Sequence, residues 1–302
     1  MLGPSILLGK LFSIPVRLHW SFGLILLWVA YLQWSAGGTI GAVAGGLIFI
    51  VLMFVCVVLH ELGHSLSARR FGIATRDITL SPLGGVAALS SMPRRWHQEL
   101  IISLAGPAVN VVIAALLFPV VFLTFPSVEQ LANPFTSFGG LVFSLFAANL
   151  VMVIFNLIPA FPMDGGRVLR SLLAARGDYA SATLIAVRLG QFLAILLAVA
   201  GLFWNPFLIL IAGFVFFAAQ MEWRMVRMQD QMAGFRVNDL MQTQFEIAGP
   251  HESMGAVASL MRRTGQSEIP ILFGDHFLGF IGRTELIRAL QEGGGNLAAQ
   301  HY

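Results

Sequence analysis

Charge is what this sequence has least of. Only 11% of its 302 residues are Asp, Glu, Lys or Arg, against about a quarter in ordinary globular domains, and 57% are hydrophobic. That balance excludes a soluble globular protein for most of the chain. Cysteine is almost absent as well. The single one, Cys56, sits in an apolar run; this excludes an intrachain disulfide framework, and the residue reads as small packing material.

The missing charges are missing in blocks. No Asp, Glu, Lys or Arg occurs from Leu18 to Leu59, Leu100 to Val128, Gln130 to Met163, or Leu189 to Met221. A helix of about 20 residues crosses the roughly 30 Å of a bilayer's hydrocarbon, so each block can hold at least one crossing. "SAGGTIG" from Ser35 divides the first and "WNP" from Trp204 divides the last. The expected architecture is an α-helical polytopic membrane protein of about six spans: Trp20–Trp34, Ile40–Arg69, Leu100–Phe125, Phe138–Ile158, Ala182–Phe203 and Pro206–Glu222.

What charge there is sorts by side. Lys10 and Arg17 precede the first span; Arg69, Arg70, Arg76, Arg94 and Arg95 follow the second; Arg167, Arg170 and Arg176 follow the fourth; Arg224 and Arg227 follow the sixth. The opposite loops carry no Lys or Arg, so the positive-inside rule places both termini in the cytosol. The net charge of +3 is therefore topology and not a nucleic-acid face. The N-terminal stretch up to Trp20 lacks a small-residue cleavage site and reads as running straight into a span, with no removable signal peptide.

Beyond Glu222 a normal share of charge returns. The chain divides into a membrane domain (residues 1–234), a small α/β cytosolic domain (235–292) and an unstructured tail (293–302).

Against this background "HELGH" stands out. His60 and His64 are four apart, so on a helix they share one face, where two imidazoles can hold one tetrahedral zinc; Glu61 lies beside them, able to take a proton from metal-bound water. Ionisable groups inside a membrane are costly and functional by default. A catalytic zinc needs a third protein ligand, and the residues just after His64 supply neither His nor Glu. Glu99 and Glu222 fall at span edges and Glu129 on the far side, leaving Asp164 in "FNLIPAFPMDGGRVLR". Pro159 and Pro162 break the helix there, and Gly165 and Gly166 are read as allowing a tight turn. An Asp that merely opens a cytosolic helix is the other reading of the same stretch. The segment Ala74 to Ser91 is expected to form a hairpin turning at Gly84–Gly85 and dipping toward the membrane, as a lid or as an edge for an unwound substrate. The remaining histidines, His19, His97, His251, His276 and His301, lack partner spacing and read as interfacial or surface residues.

"HELGH" on the second span, "SLAGPAVN" from Ser103 to Asn110 and "NLIPAFPMDGG" from Asn156 to Gly166 together resemble the site-2 protease family of intramembrane zinc metalloproteases. The resemblance implies His60, His64 and Asp164 as ligands of one zinc ion and Glu61 as catalytic acid and base. It implies Asn110 and Asn156 as polar partners for substrate backbone or the oxyanion, or as interhelical hydrogen-bonding groups. Its substrates would be transmembrane proteins, cut within the lipid bilayer of a prokaryotic cytoplasmic membrane. The stretches from Val237 to Arg263 and from Ile269 to Leu290 resemble one repeat of a CBS domain. Such domains pair and can bind adenine nucleotides; here Thr284 and Glu285 stand at the ribose position, Glu where the family commonly has Asp. A lone repeat could instead pair across two subunits as a homodimer. The competing function is a divalent-metal transporter with a regulatory CBS tail, and a third is a non-catalytic scaffold.

Overall fold

A computed structural model describes residues 5–82, 84–91, 93, 95–232, 235–292 and 294–299. Arg94 and His301 lie outside the described residues. The chain divides into two units, Met1–Met232 and Ala233–Tyr302.

The first unit opens on two strands, β1 (Ser5–Leu11) and β2 (Ile14–His19), followed by helices α1 (Phe22–Ser35) and α2 (Ile40–Arg70). The N-terminal stretch thus forms a hairpin before the first helix, where the sequence was read as running straight in. The signal was there: "IPVRLH" alternates, with Ile14 and Val16 buried and Arg17 not. A second hairpin, β3 (Thr75–Ser81) and β4 (Gly84–Leu89), follows α2. Its reversal falls earlier than expected, since Ser81 already pairs with Gly84, and Gly85 lies within the strand. The two hairpins join in one sheet of order β1-β2-β3-β4, with β2 parallel to β3 in the register Val16↔Ile78.

Helices α3 (Trp96–Thr124), α4 (Val128–Ala132), α5 (Phe138–Asn156), α6 (Asp164–Ala174), α7 (Tyr179–Phe203) and α8 (Phe207–Met232) complete the unit. Among the described residues five helices are long and apolar enough to cross a membrane: α2, α3, α5, α7 and α8. With its 14 residues α1 is about 21 Å long at 1.5 Å per residue, short of the hydrocarbon thickness. Asp178 caps α7 by accepting the Ser181 amide at 3.0 Å, and that bond holds its exposed carboxyl below the usual carboxylate range.

The middle of the unit is α2, buried on two sides. Phe54, Val58 and Leu62 face the sheet, where they pack with Ile14, Val16, Ile78 and Leu80. Cys56, His60, His64 and Ala68 are buried as well, and the two-residue offset from the first set turns them about 200° round the helix. Close helix approach is bought with small residues: a Cβ on Gly63 would lie 2.7 Å from the carbonyl oxygen of Ala105 on α3.

The second unit holds α9 (Val237–Leu240), α10 (Met254–Thr264), an antiparallel pair β5 (Glu268–Phe273) and β6 (His276–Gly282), and α11 (Arg283–Glu292). Its core is Met254, Val257, Ile269, Ile271, Ile281, Leu286 and Ala289. Within the tail expected to be unstructured, the described residues 294–299 reach this core: Ala299 is buried, and its amide donates to the Glu252 carbonyl at 2.9 Å. Two apolar residues in "NLAA" are enough to seat it, with Leu297 also packed on the cluster.

Candidate metal centre

The three expected ligands come from two local causes. His60 and His64 are adjacent turns of α2. Asp164 is the first residue of α6, delivered by the irregular stretch after Asn156, where Ala160 and Phe161 are buried and the Phe161–Pro162 bond is cis. Gly165 and Gly166 are required for a different reason from the one inferred. Neither has a positive φ; both sit inside α6, and a Cβ on Gly166 would lie 2.6 Å from the Phe161 amide nitrogen. A Cβ on Gly165 would strike the carbonyls of Leu157 and Ile158. The glycines let α6 lie against its own leading loop, and so fix where Asp164 points.

The three side chains converge. His60 Nε2 and His64 Nε2 are 3.1 Å apart, and Asp164 Oδ2 is 3.2 Å from each. The edge of a tetrahedron with zinc bonds of 2.0–2.1 Å is about 3.3 Å, so these three atoms sit as three corners of such a site. The other ring nitrogens are engaged. His60 Nδ1 is 2.5 Å from Asn110 Oδ1 and His64 Nδ1 is 2.7 Å from the Ile102 carbonyl oxygen. Both acceptors lack protons, so each Nδ1 donates and each Nε2 is left with its lone pair facing the others. Two lone pairs and a carboxylate aimed at one point repel unless a cation lies between them. The residues present therefore fit a metal ion, and this is the one group among the described residues that could hold one. Gly106 on α3 completes the cradle, because a Cβ there would lie 2.7 Å from His60 Nε2 and closer still to His64.

Asn110 is wholly buried and spent at both ends: its Oδ1 on His60, its Nδ2 on Asn149 Oδ1 at 2.8 Å. Asn149 in turn donates to the Leu145 carbonyl at 2.8 Å and lies 3.5 Å from Cys56 Sγ. Of the two readings offered for Asn110, these bonds match the interhelical one, and they place its amide oxygen against the ring of His60. Asn156, in contrast, is half-buried and lines the cavity.

That cavity, about 380 Å³, is bordered by His60, Glu61, His64, Asn156, Asp164 and Arg167. Glu61 is only half-buried, and its Oε2 accepts the Ala87 amide of β4 at 3.1 Å. Gly85 lets the strand come this near, for a Cβ there would lie 2.8 Å from Glu61 Cγ.

Behind the site lies a cluster that sequence reasoning missed. Arg170 is completely buried; its Nε donates to Glu99 Oε1 at 2.9 Å, its Nη2 to the same oxygen, and its Nη1 to Glu222 Oε1 at 2.7 Å. Its guanidinium also lies 4.9 Å from the Phe161 ring centroid and 4.8 Å from that of Tyr179. Counted in the sequence as a loop charge, Arg170 instead clasps α3, α6 and α8 together. The signal was a carboxylate at the edge of each of two spans with no stated partner.

In the second unit, Glu285 Oε2 accepts the Gly282 amide at 3.2 Å, and Thr284 is exposed. The 470 Å³ hollow on this unit is lined by residues that include Gln242, Phe245, Gln266, Glu268 and Phe280, and not by Thr284 or Glu285. The two residues expected at a ribose are not brought to a pocket together. His97, His251 and His276 are exposed and His19 half-buried, in line with the surface reading.

Apolar helices wrapped round a buried His–His–carboxylate cluster, with the Glu61 carboxylate at its mouth, define a membrane protein organised about one metal site. The comparisons agree. The model of Peptidase family M50 matches residues 48–198, and that of the CBS domain matches residues 237–292. A zinc metalloprotease of Methanocaldococcus jannaschii is 34% identical over 279 residues, spanning 92% of this chain and 78% of its own. The Rip3 protein of Mycobacterium tuberculosis, named a putative zinc metalloprotease, is 32% identical over 273 residues, 83% of this chain and 65% of its own. Among solved structures, the site-2 protease from Methanocaldococcus jannaschii matches with a TM-score of 0.54 and 38% identity, covering 73% of this chain and 95% of that one. The chain belongs to Peptidase family M50.

Proposed function

We propose that His60, His64 and Asp164 hold one zinc ion, and that the protein is an intramembrane endopeptidase hydrolysing peptide bonds of transmembrane segments. The observation that carries this is the meeting of three proton-free donors at 3.1–3.2 Å beside Glu61. Held there by His60, His64 and Asp164, a zinc ion would supply Lewis acidity, lowering the pKa of a water and polarising the scissile carbonyl. Glu61 takes the proton of the attacking water as its oxygen bonds to the carbonyl carbon, then passes that proton to the amine as the C–N bond breaks. Asn110 and the Ile102 carbonyl keep both imidazoles in the tautomer this requires.

A substrate helix must unwind before its carbonyls are exposed. Strand β4 is an edge of its sheet, and because the Ala87 amide reaches Glu61, the free edge of β4 faces the site. An unwound segment laid along that edge, with Gly85, Ala87 and Leu89 on the same side, would run past the metal. Asn156 is placed to hold its backbone.

The sheet also bears on topology. β2, just before α1, pairs with β3, just after α2, so this stretch starts and ends at one level. Since α2 is long enough to cross, the path through α1 must cross too, by way of a sheet whose exposed Ile6, Leu8 and Phe12 suit it to dip into lipid. This pairing supports the reading of six crossings; with the arginine-rich loops on one side, we propose that both termini are cytosolic, in a prokaryotic cytoplasmic membrane. The CBS-like unit, with Glu285 bonded to the Gly282 amide at the end of β6, serves better as a pairing module in a homodimer than as a nucleotide site. Metal transport is disfavoured by the single donor cluster among the described residues, since passage wants successive stations.

The deciding experiment is metal analysis of the purified protein with cleavage of a single-span substrate, for wild type and Glu61→Gln. One zinc per chain in both, with cleavage in the wild type alone, is the expected result. Turnover retained by the variant would remove Glu61 from the mechanism.

A further inference from the structure

The two arginines of α6 have opposite fates. Arg170 is saturated by two carboxylates and two aromatic rings. Arg167, one turn earlier, lines the metal cavity, and its Nε is buried without a hydrogen-bond partner. No described residue hydrogen-bonds or ion-pairs with its guanidinium. Of the carboxylates nearby, Asp164 faces the imidazoles, Glu61 faces Ala87, and Glu99 is held by Arg170 through one of its two oxygens. Arg167 is three residues from Asp164 on one helix, so the two share a face with Cβ atoms about 5–6 Å apart. Leaving a guanidinium partly buried with open donors is unfavourable unless an acceptor arrives.

Resting on the proteolytic reading above, we propose that Arg167 is a further catalytic residue, whose guanidinium receives the negative charge that develops on the scissile carbonyl oxygen. As water adds to the carbonyl carbon, the C–O π pair moves onto oxygen, and the water proton goes to Glu61. The oxyanion then collapses, the C–N bond breaks, and the amine leaves with that proton. A planar fork of fixed charge suits an oxyanion better than a flexible ammonium does, and a preorganised donor acts mainly in the transition state. The competing acceptor is Glu99 Oε2, itself buried without a partner. Glu99 does not border the cavity, whereas Arg167 does.

The test uses the full-length protein in lipid nanodiscs with a single-span substrate. Arg167→Met is expected to keep one zinc and the wild-type melting temperature while kcat falls about 10²–10³-fold, the usual loss for one oxyanion donor. Substrate affinity, measured in a Glu61→Gln background, should stay the same with or without Arg167→Met. Arg167→Lys should recover part of the rate, and guanidinium ion below denaturing concentration should restore part of it to Arg167→Ala but not to Glu61→Gln. Wild-type kcat in Arg167→Met, alongside an inactive Glu61→Gln, would overturn the assignment and leave the proteolytic reading standing. So would a loss of zinc or melting temperature that accounts for the lost rate, because Arg167 would then be a structural partner of Glu99. Cleavage by Glu61→Gln itself would strike at the proteolytic reading instead.

Discussion

The two units of this chain differ in the polar groups they bury: the first adds a polar centre to its apolar clusters, and the second does not. In the second, the buried residues are aliphatic and methionine side chains, and Gln266 is its one buried polar residue among those described. In the first, the side chains at the centre are His60, His64, Asp164, Asn110, Asn149, Glu99 and Arg170, while Leu123, Phe125, Leu202 and Phe217 are among the most exposed. The reason is the solvent. Water pushes apolar surface inward in the second unit. Lipid gives the first unit no such push, so its helices associate through small residues and hydrogen-bonded polar groups. The difference teaches where to look for function: a polar interior in a membrane unit is either a clasp or a site, and here the two are adjacent on α6.

That contrast can be broken by experiment. The largest effect is expected from Arg170→Met in the membrane unit, which strands the buried Glu99 and the half-buried Glu222 and should cost about 3–5 kcal/mol. It should also lower zinc occupancy, because α6 carries Asp164; unchanged unfolding in detergent would show the clasp to be dispensable. In the second unit the matching change is apolar. Ile269→Ala should cost about 2–5 kcal/mol through the cavity it leaves, read as faster hydrogen exchange of β5 and β6 in the full chain with zinc content untouched. Asn110→Ala should weaken zinc binding about 10–100-fold without unfolding the unit, measured by competition with a chelator. The smallest effect belongs to Ser253→Ala. Ser253 accepts the Ala256 amide at 3.2 Å as the cap of α10, and its loss should cost about 1 kcal/mol, seen only in exchange of the second unit.

Much of the fold was legible because lipid imposes length and composition on every crossing. The bounds expected for the second span, Ile40–Arg69, differ by one residue from α2. The first hairpin was not legible in the same way: β1 carries Ile6, Leu7 and Leu8 in succession, an apolar run that hides a strand beside a span. For the site, spacing alone put His60 and His64 on one face. Asn110 could be placed near the site by its motif but not assigned, since an amide that orients imidazole and one that binds substrate look alike in sequence.

The sequence by itself determined a chain of lipid-crossing helices with two imidazoles and a carboxylate on one of them, because helical repeat fixes which residues of an element share a face. Only the tertiary structure decided that Asp164 meets those imidazoles, that Arg170 closes on Glu99 and Glu222, and that Arg167 is left open to the cavity. The two arginines are three residues apart and chemically identical. What separates them is which neighbouring helix each one faces, and in an apolar solvent hydropathy carries no record of that.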